Sequence, residues 1–360
     1  MFGTQIEAFN ASPLSGGENA ILAKRPYVAT SGKYAGRSVI AVNTGQMDNT
    51  GQPIYTERPI NTNATLRKDE WINLEDQIIE AARERLVIVD DLRSAGLTYN
   101  VGGLGTLISE WETASEMTDA SITMDGNSQA DRDRQVFGLD GIPIPIIQKP
   151  WQIGERTLLA SRTRGSALDV TMGAEAGRAV ARVSESLVFN GWSQTVPSAG
   201  NTYQIYGLTN FPSRETITIS DWSDDVNVTP EEIHAEILTM VQQMETDARH
   251  FGPFNLYIPK EYSFRFRQDY KAFGTETLME RVLADGVIKA VRVSDVLAAA
   301  NVIMIQMSRS VIDLAFAADL NTVQWSSGDG WVNNFQTFAA WAPRLKKDYD
   351  GHCGIMHATT

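Results

Sequence analysis

The sequence predicts an α+β fold whose two longest projections find no support on their own body. Three features lead there. Helical periodicity recurs at about 66–88, 167–190 and 230–248, strand-like apolar runs gather towards the C-terminus, and a two-stranded excursion occupies about 97–160. At 360 residues the chain has room for two or three lobes, given roughly 150 residues per domain.

Residues 1–65 stand apart. Asn, Thr, Gly, Ser and Pro recur in Asn10-Ala11-Ser12-Pro13 and Asp48-Asn49-Thr50-Gly51-Gln52-Pro53, around apolar islands such as Val39-Ile40-Ala41-Val42. This composition predicts an extended arm carrying one or two short strands, which a neighbouring subunit would have to hold in place. The first helix follows at about 66–88, with Trp71, Leu74, Ile78 and Ala81 on one stripe and Asp69 and Glu70 in its first turn.

Over 97–160 the character changes. Thr106-Leu107-Ile108 and Ile142-Pro143-Ile144-Pro145-Ile146-Ile147 read as strands on either side of a polar tip, Asp125 to Arg134. Pro143, Pro145 and Pro150 suit an edge strand, because proline cannot donate to a ladder. A hairpin this long is marginal by itself and is expected to rest on another copy. Glu110, Glu112, Glu116 and Asp119 along it, and Arg132 and Arg134 near its tip, are candidates for pairing with neighbouring copies or for plain solvent exposure. Gly102-Gly103-Leu104-Gly105 at its base lacks the third glycine of a dinucleotide loop and reads as a hinge.

The longest helix is expected at about 167–190. Ser166 and Asp169 have capping-box spacing, Asn190-Gly191 forms a stop, and Ala176, Val180, Val183 and Leu187 make the apolar stripe. The small residues Gly173, Gly177 and Ala181 admit another backbone at close range. A mixed α/β lobe follows. Thr229-Pro230-Glu231-Glu232 opens a helix with stripe Ile233, Ile237, Met240, Met244 and Ala248, which ends at Gly252-Pro253. Then come a strand at Phe254–Ile258, helices near 260–270 and 275–285, strands at 302–307, 311–316 and 321–325, an alternating stretch from Trp331 to Trp341, and a C-terminal strand.

Composition narrows the function classes. With 31 Lys+Arg against 44 Asp+Glu the net charge is −13, which disfavours affinity for nucleic acid or anionic membrane. Cys353 is the single cysteine, so an internal disulfide and a cysteine-clustered metal site are excluded and a reducing compartment fits. The opening Met1–Glu7 lacks a basic region followed by an apolar one, so no secretory signal is expected, and no apolar run approaches a membrane span. His234 and His250 belong to a helix and read as structural; His352, Cys353 and His357 make a poor metal set. The Asp125 loop lacks a calcium loop's glycine and bidentate acid, and no phosphate-loop, zincin or nucleophile-elbow motif occurs. The eight tryptophans are scattered without interleaved basic residues, which favours core and interface anchoring over base stacking. No cofactor is expected, and no enzymatic activity.

The order of parts resembles the Hong Kong 97-type major capsid proteins of tailed bacteriophages and the related encapsulin shell proteins. The local likenesses are Leu66-Arg67-Lys68-Asp69-Glu70-Trp71-Ile72-Asn73-Leu74, Pro145-Ile146-Ile147-Gln148-Lys149-Pro150-Trp151-Gln152-Ile153, Leu187-Val188-Phe189-Asn190-Gly191 and Tyr206-Gly207-Leu208. The resemblance implies an N-arm (1–65), a P-domain in three parts (66–96, 156–205 with a spine helix, and 331–360), an extended E-loop (97–155) and an A-domain (206–330). It implies many copies of the chain, as hexamers and pentamers, closing into an icosahedral shell around double-stranded DNA in a virion assembled in the host cytoplasm. Portal, scaffolding and cement proteins would be partners, and no membrane would. Trp111, Glu112, Glu116, Arg132, Arg134, Lys149 and Trp151 are the candidate inter-subunit contacts. Lys149 is the one lysine between 97 and 155 and lies at the base of the excursion, so assembly is expected to be non-covalent. The arm carries no heptads, so scaffolding is expected from a separate protein. An encapsulin-type compartment and a soluble α/β enzyme are the competing readings.

Overall fold

The structure is a computed structural model. It describes residues 27–28, 38–47, 53–59, 68–84, 86–114, 122, 124, 134, 137–164, 171–198, 201–271, 274–326, 331–348 and 351–360. The capping pair Ser166/Asp169 and the polar tip except Arg134 lie outside these residues.

The N-terminal segment forms an antiparallel three-stranded sheet of β1 (Tyr27–Val28), β2 (Ser38–Met47) and β3 (Pro53–Pro59), with Val39-Ile40-Ala41-Val42 inside β2. Helix α1 (Lys68–Arg83) follows, then a short α2 (Ile88–Ser94) that the sequence reading did not assign. Leu74, Ile78 and Ala81 of the expected stripe are buried. They face α4 (Thr171–Asn190), the longest described helix. At Gly177 a Cβ would stand 2.7 Å from the Ile78 carbonyl oxygen, so glycine is what lets the two backbones cross this closely. Ala176, Val180 and Leu187 are buried as expected, whereas Val183 is 54% exposed. The buried face is centred instead on Gly177, Ser184 and Val188, because the small residues are the ones laid against α1, and Val183 falls beyond its edge. Gly191 ends α4 with φ +69°.

Two larger sheets flank this helix layer. One has the order β4 (Thr98–Asn100), β14 (Ile312–Ser326), β15 (Val332–Leu345), β7 (Ile146–Gly154), with proline-bearing β7 at its edge. The strands expected at 311–316 and 321–325 are one strand. β14 pairs along almost the whole of β15 and absorbs the polar interruption in register shifts between Phe316 and Ala318 and between Ala318 and Asn321. The second sheet has the order β10 (Glu215–Thr218), β16 (Ile355–Thr359), β13 (Asn301–Gln306), β11 (Phe254–Pro259), β12 (Ile288–Ser294). Its β10/β16 and β11/β12 pairs are parallel, the others antiparallel.

Every residue of β11 is buried, and period-two alternation explains this. Phe254, Leu256 and Ile258 face α5 (Pro230–Thr246) and α6 (Leu278–Ala284); Tyr257 faces the core shared with α2, α4 and the four-stranded sheet. Helix α5 begins as expected, with Thr229 accepting from the Glu232 amide and the Glu232 carboxylate accepting in return from the Thr229 amide. Its stripe Ile233, Ile237, Met240, Met244 and Ala248 is buried throughout. The helix expected near 260–270 is instead two 3₁₀ turns, Lys260–Tyr262 and Arg265–Arg267. Tyr262 and Phe266 both turn in against Trp222, and the Arg265 guanidinium turns in to the Val228 carbonyl and to Gln268. The remaining elements are α3 (Glu155–Arg164) and two antiparallel pairs, β5 (Ile108–Ala114) with β6 (Phe137–Pro143) and β8 (Trp192–Ser198) with β9 (Asn201–Ile205).

Candidate interaction surface

The β5/β6 hairpin leaves the body beside the four-stranded sheet. Its register places Glu110 and Glu112 with Phe137, Leu139 and Gly141 on one face, and Ser109 and Trp111 with Gly138, Asp140 and Ile142 on the other. At the root Ser109, Gly141, Ile142 and Pro143 are buried. Further out Phe137 and Leu139 are 64% and 54% exposed, on the same face and two residues apart. Ile122 and Met124 in the tip segment are fully exposed. Phe137 and Leu139 form an exposed apolar pair on one face of the hairpin, a candidate surface for contact with another molecule.

The residues singled out from sequence divide between this surface and the chain's own interior. Glu112 and Arg134 are exposed; Glu116 and Arg132 lie outside the described residues. Lys149 is exposed on β7, opposite Thr337. Trp151 is half-buried, stacked on Phe335 with ring centres 4.3 Å apart, and its indole N–H donates to Thr337 Oγ1 at 3.1 Å. Its best face is therefore used within the chain, in a satellite core with Leu74, Ile78 and Ile153. Trp111 is half-buried over the Arg344 guanidinium. Glu110 accepts a 2.8 Å hydrogen bond from the Tyr203 hydroxyl on β9, so it is tied to its own body. Between hairpin root and β9 lies a groove of about 310 Å³ lined by Trp111, Asp140, Tyr203, Phe211, Leu345 and Lys347.

Sequence reasoning did not single out Phe137, Leu139, Tyr203 or Arg344. The first two carry a readable signal, period-two apolar residues separated by glycine. The other two become significant only through strand pairing. Beneath the hairpin Arg344 and Asp313 make a buried bidentate pair with both N···O distances at 2.6 Å, and Lys346 joins at 2.7 Å.

Two buried titrating groups lie away from the hairpin. Glu185 on α4 accepts from the Val87, Ile88 and Val89 amides at 2.8, 3.2 and 3.1 Å, at the start of α2. Burial pushes its carboxyl up to about 7 despite these donors. His357 on β16 is lowered to about 4 by burial, with the neighbouring Arg214 charge adding to the effect. Arg214 Nε donates to its Nδ1 at 3.2 Å and its Nε2 meets Asn301 Oδ1 at 2.7 Å. Both ring nitrogens thus have protein partners. Among the described residues no group of three His, Cys, Asp or Glu could hold a metal, and no helix is long and apolar enough to cross a membrane.

Comparison with known proteins matches residues 61–358 to a family of unknown function, DUF6260. The chain is 25% identical over 265 residues to the type 1 encapsulin shell protein EncA of Myxococcus xanthus strain DK1622, spanning 71% of this chain and 82% of that one. Among solved structures it is similar to a virus-like particle from Pyrococcus furiosus, with TM-score 0.56, 16% identity, and 80% and 98% of the two chains covered. The capsid of Myoviridae phage XM1 gives TM-score 0.55 at 13% identity, covering 74% and 90%. The chain belongs to the DUF6260 family, and its fold is the Hong Kong 97-type fold of phage capsid and encapsulin shell proteins.

Proposed function

We propose that this chain is a structural, non-catalytic shell protein: the major capsid protein of a tailed phage, self-assembling into an icosahedral shell that encloses double-stranded DNA. The observation that carries the reading is the hairpin, which exposes Phe137 and Leu139 on one face with nothing among the described residues covering them. A second copy supplies that cover, and each copy covers the next around a closed ring. In this reading residues 1–65 are the N-arm, 97–155 the E-loop and 206–330 the A-domain. The remainder is the P-domain, and Trp111, Glu112, Glu116, Arg132, Arg134, Lys149 and Trp151 lie at or near contacts between copies. The net charge of −13 suits a container whose inner wall does not grip phosphate during filling. Scaffolding, portal and cement proteins would be separate partners, with contacts between copies non-covalent.

A second reading is an encapsulin-type compartment enclosing protein cargo. The likeness to EncA over 82% of that protein's length favours it. The arm that precedes α1, with its own β2/β3 pair, favours the capsid. Electron microscopy of the full-length chain after expression tests the shared claim. Closed particles of one diameter, running at monomer mass on denaturing gels, are expected; a soluble monomer or small oligomer would refute it. Particles from the native host that protect DNA of uniform length support the capsid, and a co-purifying protein cargo supports the compartment.

A further inference from the structure

Arg344 sits near the end of β15 and is 6% exposed. Asp313 on β14 fixes the plane of its guanidinium through two hydrogen bonds. The guanidinium carbon lies 3.9 Å from the centre of the Tyr99 ring and 5.5 Å from that of Trp111. These aromatics belong to different parts of the chain: Tyr99 to β4, which pairs with the body sheet, and Trp111 to β5, the outgoing strand of the hairpin. Between them lies a turn containing Gly102 at φ +90° and Gly103 at φ +108°. Glycine in such a turn supplies little angular stiffness of its own. From the other face Tyr203 bonds Glu110 and crowds Gly141, where a Cβ would meet its ring at 3.1 Å.

We propose that the Tyr99–Arg344–Trp111 stack is a positioning clamp that fixes the angle at which the hairpin leaves the body, and hence its fit onto a second copy of this chain. The proposal rests on the shell reading above. Leverage makes the angle matter. Seven residues at about 3.4 Å each carry β5 roughly 20 Å outward, so a swing of about 10° at the root moves its end by about 3.5 Å. That is a whole van der Waals contact, enough to undo docking of Phe137 and Leu139.

The test compares the unsubstituted chain with Tyr99→Leu, Trp111→Leu and the aromatic control Tyr99→Phe. Tyr99 is 46% exposed, so its replacement leaves the core intact even if Trp111→Leu folds poorly. Two readouts are needed. One is the yield of closed particles by electron microscopy. The other is the distance distribution between spin labels on Gly138→Cys in the hairpin and Leu238→Cys on α5, measured in labelled chains diluted with unlabelled ones. Cys353 is 1% exposed and its thiol is pushed up to about 12 by burial, so it stays unlabelled. Tyr99→Leu is expected to broaden the distribution and lose closed particles, with the melting transition retained and Tyr99→Phe restoring both. A distribution as narrow as the parent's, or closed particles at the parent's yield, overturns the clamp. If the parent itself forms no closed particles, the shell reading fails, and the distance measurement still judges the clamp.

Discussion

The hairpin and the five-stranded lobe solve opposite problems with the same alternating strand pattern. In the lobe both faces of β11 and β13 are covered: helices α5 and α6 take one set of side chains, and the shared central core takes the other. In β6 the four outer residues are all exposed, Phe137 and Leu139 among them. One region completes its own core, while the other presents apolar side chains to solvent. On the shell reading proposed above, folding and assembly depend on different residues, and substitutions separate them.

The largest expected effect is in the lobe. Trp222 is wholly buried against Tyr262 and Phe266 and donates to Glu236 at 2.6 Å. Trp222→Ala is expected to cost about 3–5 kcal/mol in denaturant unfolding, and subunits that accumulate folded at wild-type stability would break the comparison.

Acidity should sharpen it next, because the body of the molecule, away from the hairpin, holds two displaced titrations of opposite sign. Glu185 binds its proton more tightly when folded than at its ordinary value of 4.5. Its contribution is therefore complete below about pH 4.5 and lost as pH rises through about 7, a difference on the order of 3 kcal/mol. His357 works with the opposite sign. Its folded form resists protonation, so its contribution is present above pH 6.5 and lost as pH falls through about 4. In thermal melts across pH 4.5–7, Glu185→Gln should remove a stability decline with rising pH, and His357→Asn a decline with falling pH. Unchanged profiles would show that neither carboxyl nor imidazole is held as described.

At the helix crossing, Gly177→Ala drives a methyl against the Ile78 carbonyl and is expected to destabilise by about 1–3 kcal/mol, read by chemical unfolding. The smallest effect on stability belongs to the hairpin. Phe137→Asp with Leu139→Asp should leave subunit unfolding within about 0.5 kcal/mol of the parent while particle formation is lost. Shells of normal yield from this double variant would place the contact surface elsewhere.

Much of the framework was legible from local signals. The Thr229–Glu232 cap, the α5 stripe, the Gly177 crossing and the proline-marked edge strand follow from spacing and from what proline and glycine permit. Errors fell where a distant partner overruled the local pattern. β14 reads as two strands until β15 is laid along it. Residues 260–267 read as a helix because Tyr262, Arg265 and Phe266 keep helical spacing, which the two 3₁₀ turns also bring to one side. The candidate surface was legible as a charged projection. Its apolar face and its anchoring were not, because those depend on which neighbour each side chain meets.

The sequence by itself determined α1, α4, α5 and α6, the main C-terminal strands and the two-stranded excursion, since backbone preference and apolar period act over a few residues. Tertiary structure alone decided that Glu110 is tethered to Tyr203, that Trp151 is stacked inward, and that Arg344 joins Asp313, Tyr99 and Trp111. These contacts join residues far apart along the chain, and only the packing of sheets and spine brings them within the few ångströms at which hydrogen bonds and ring contacts act.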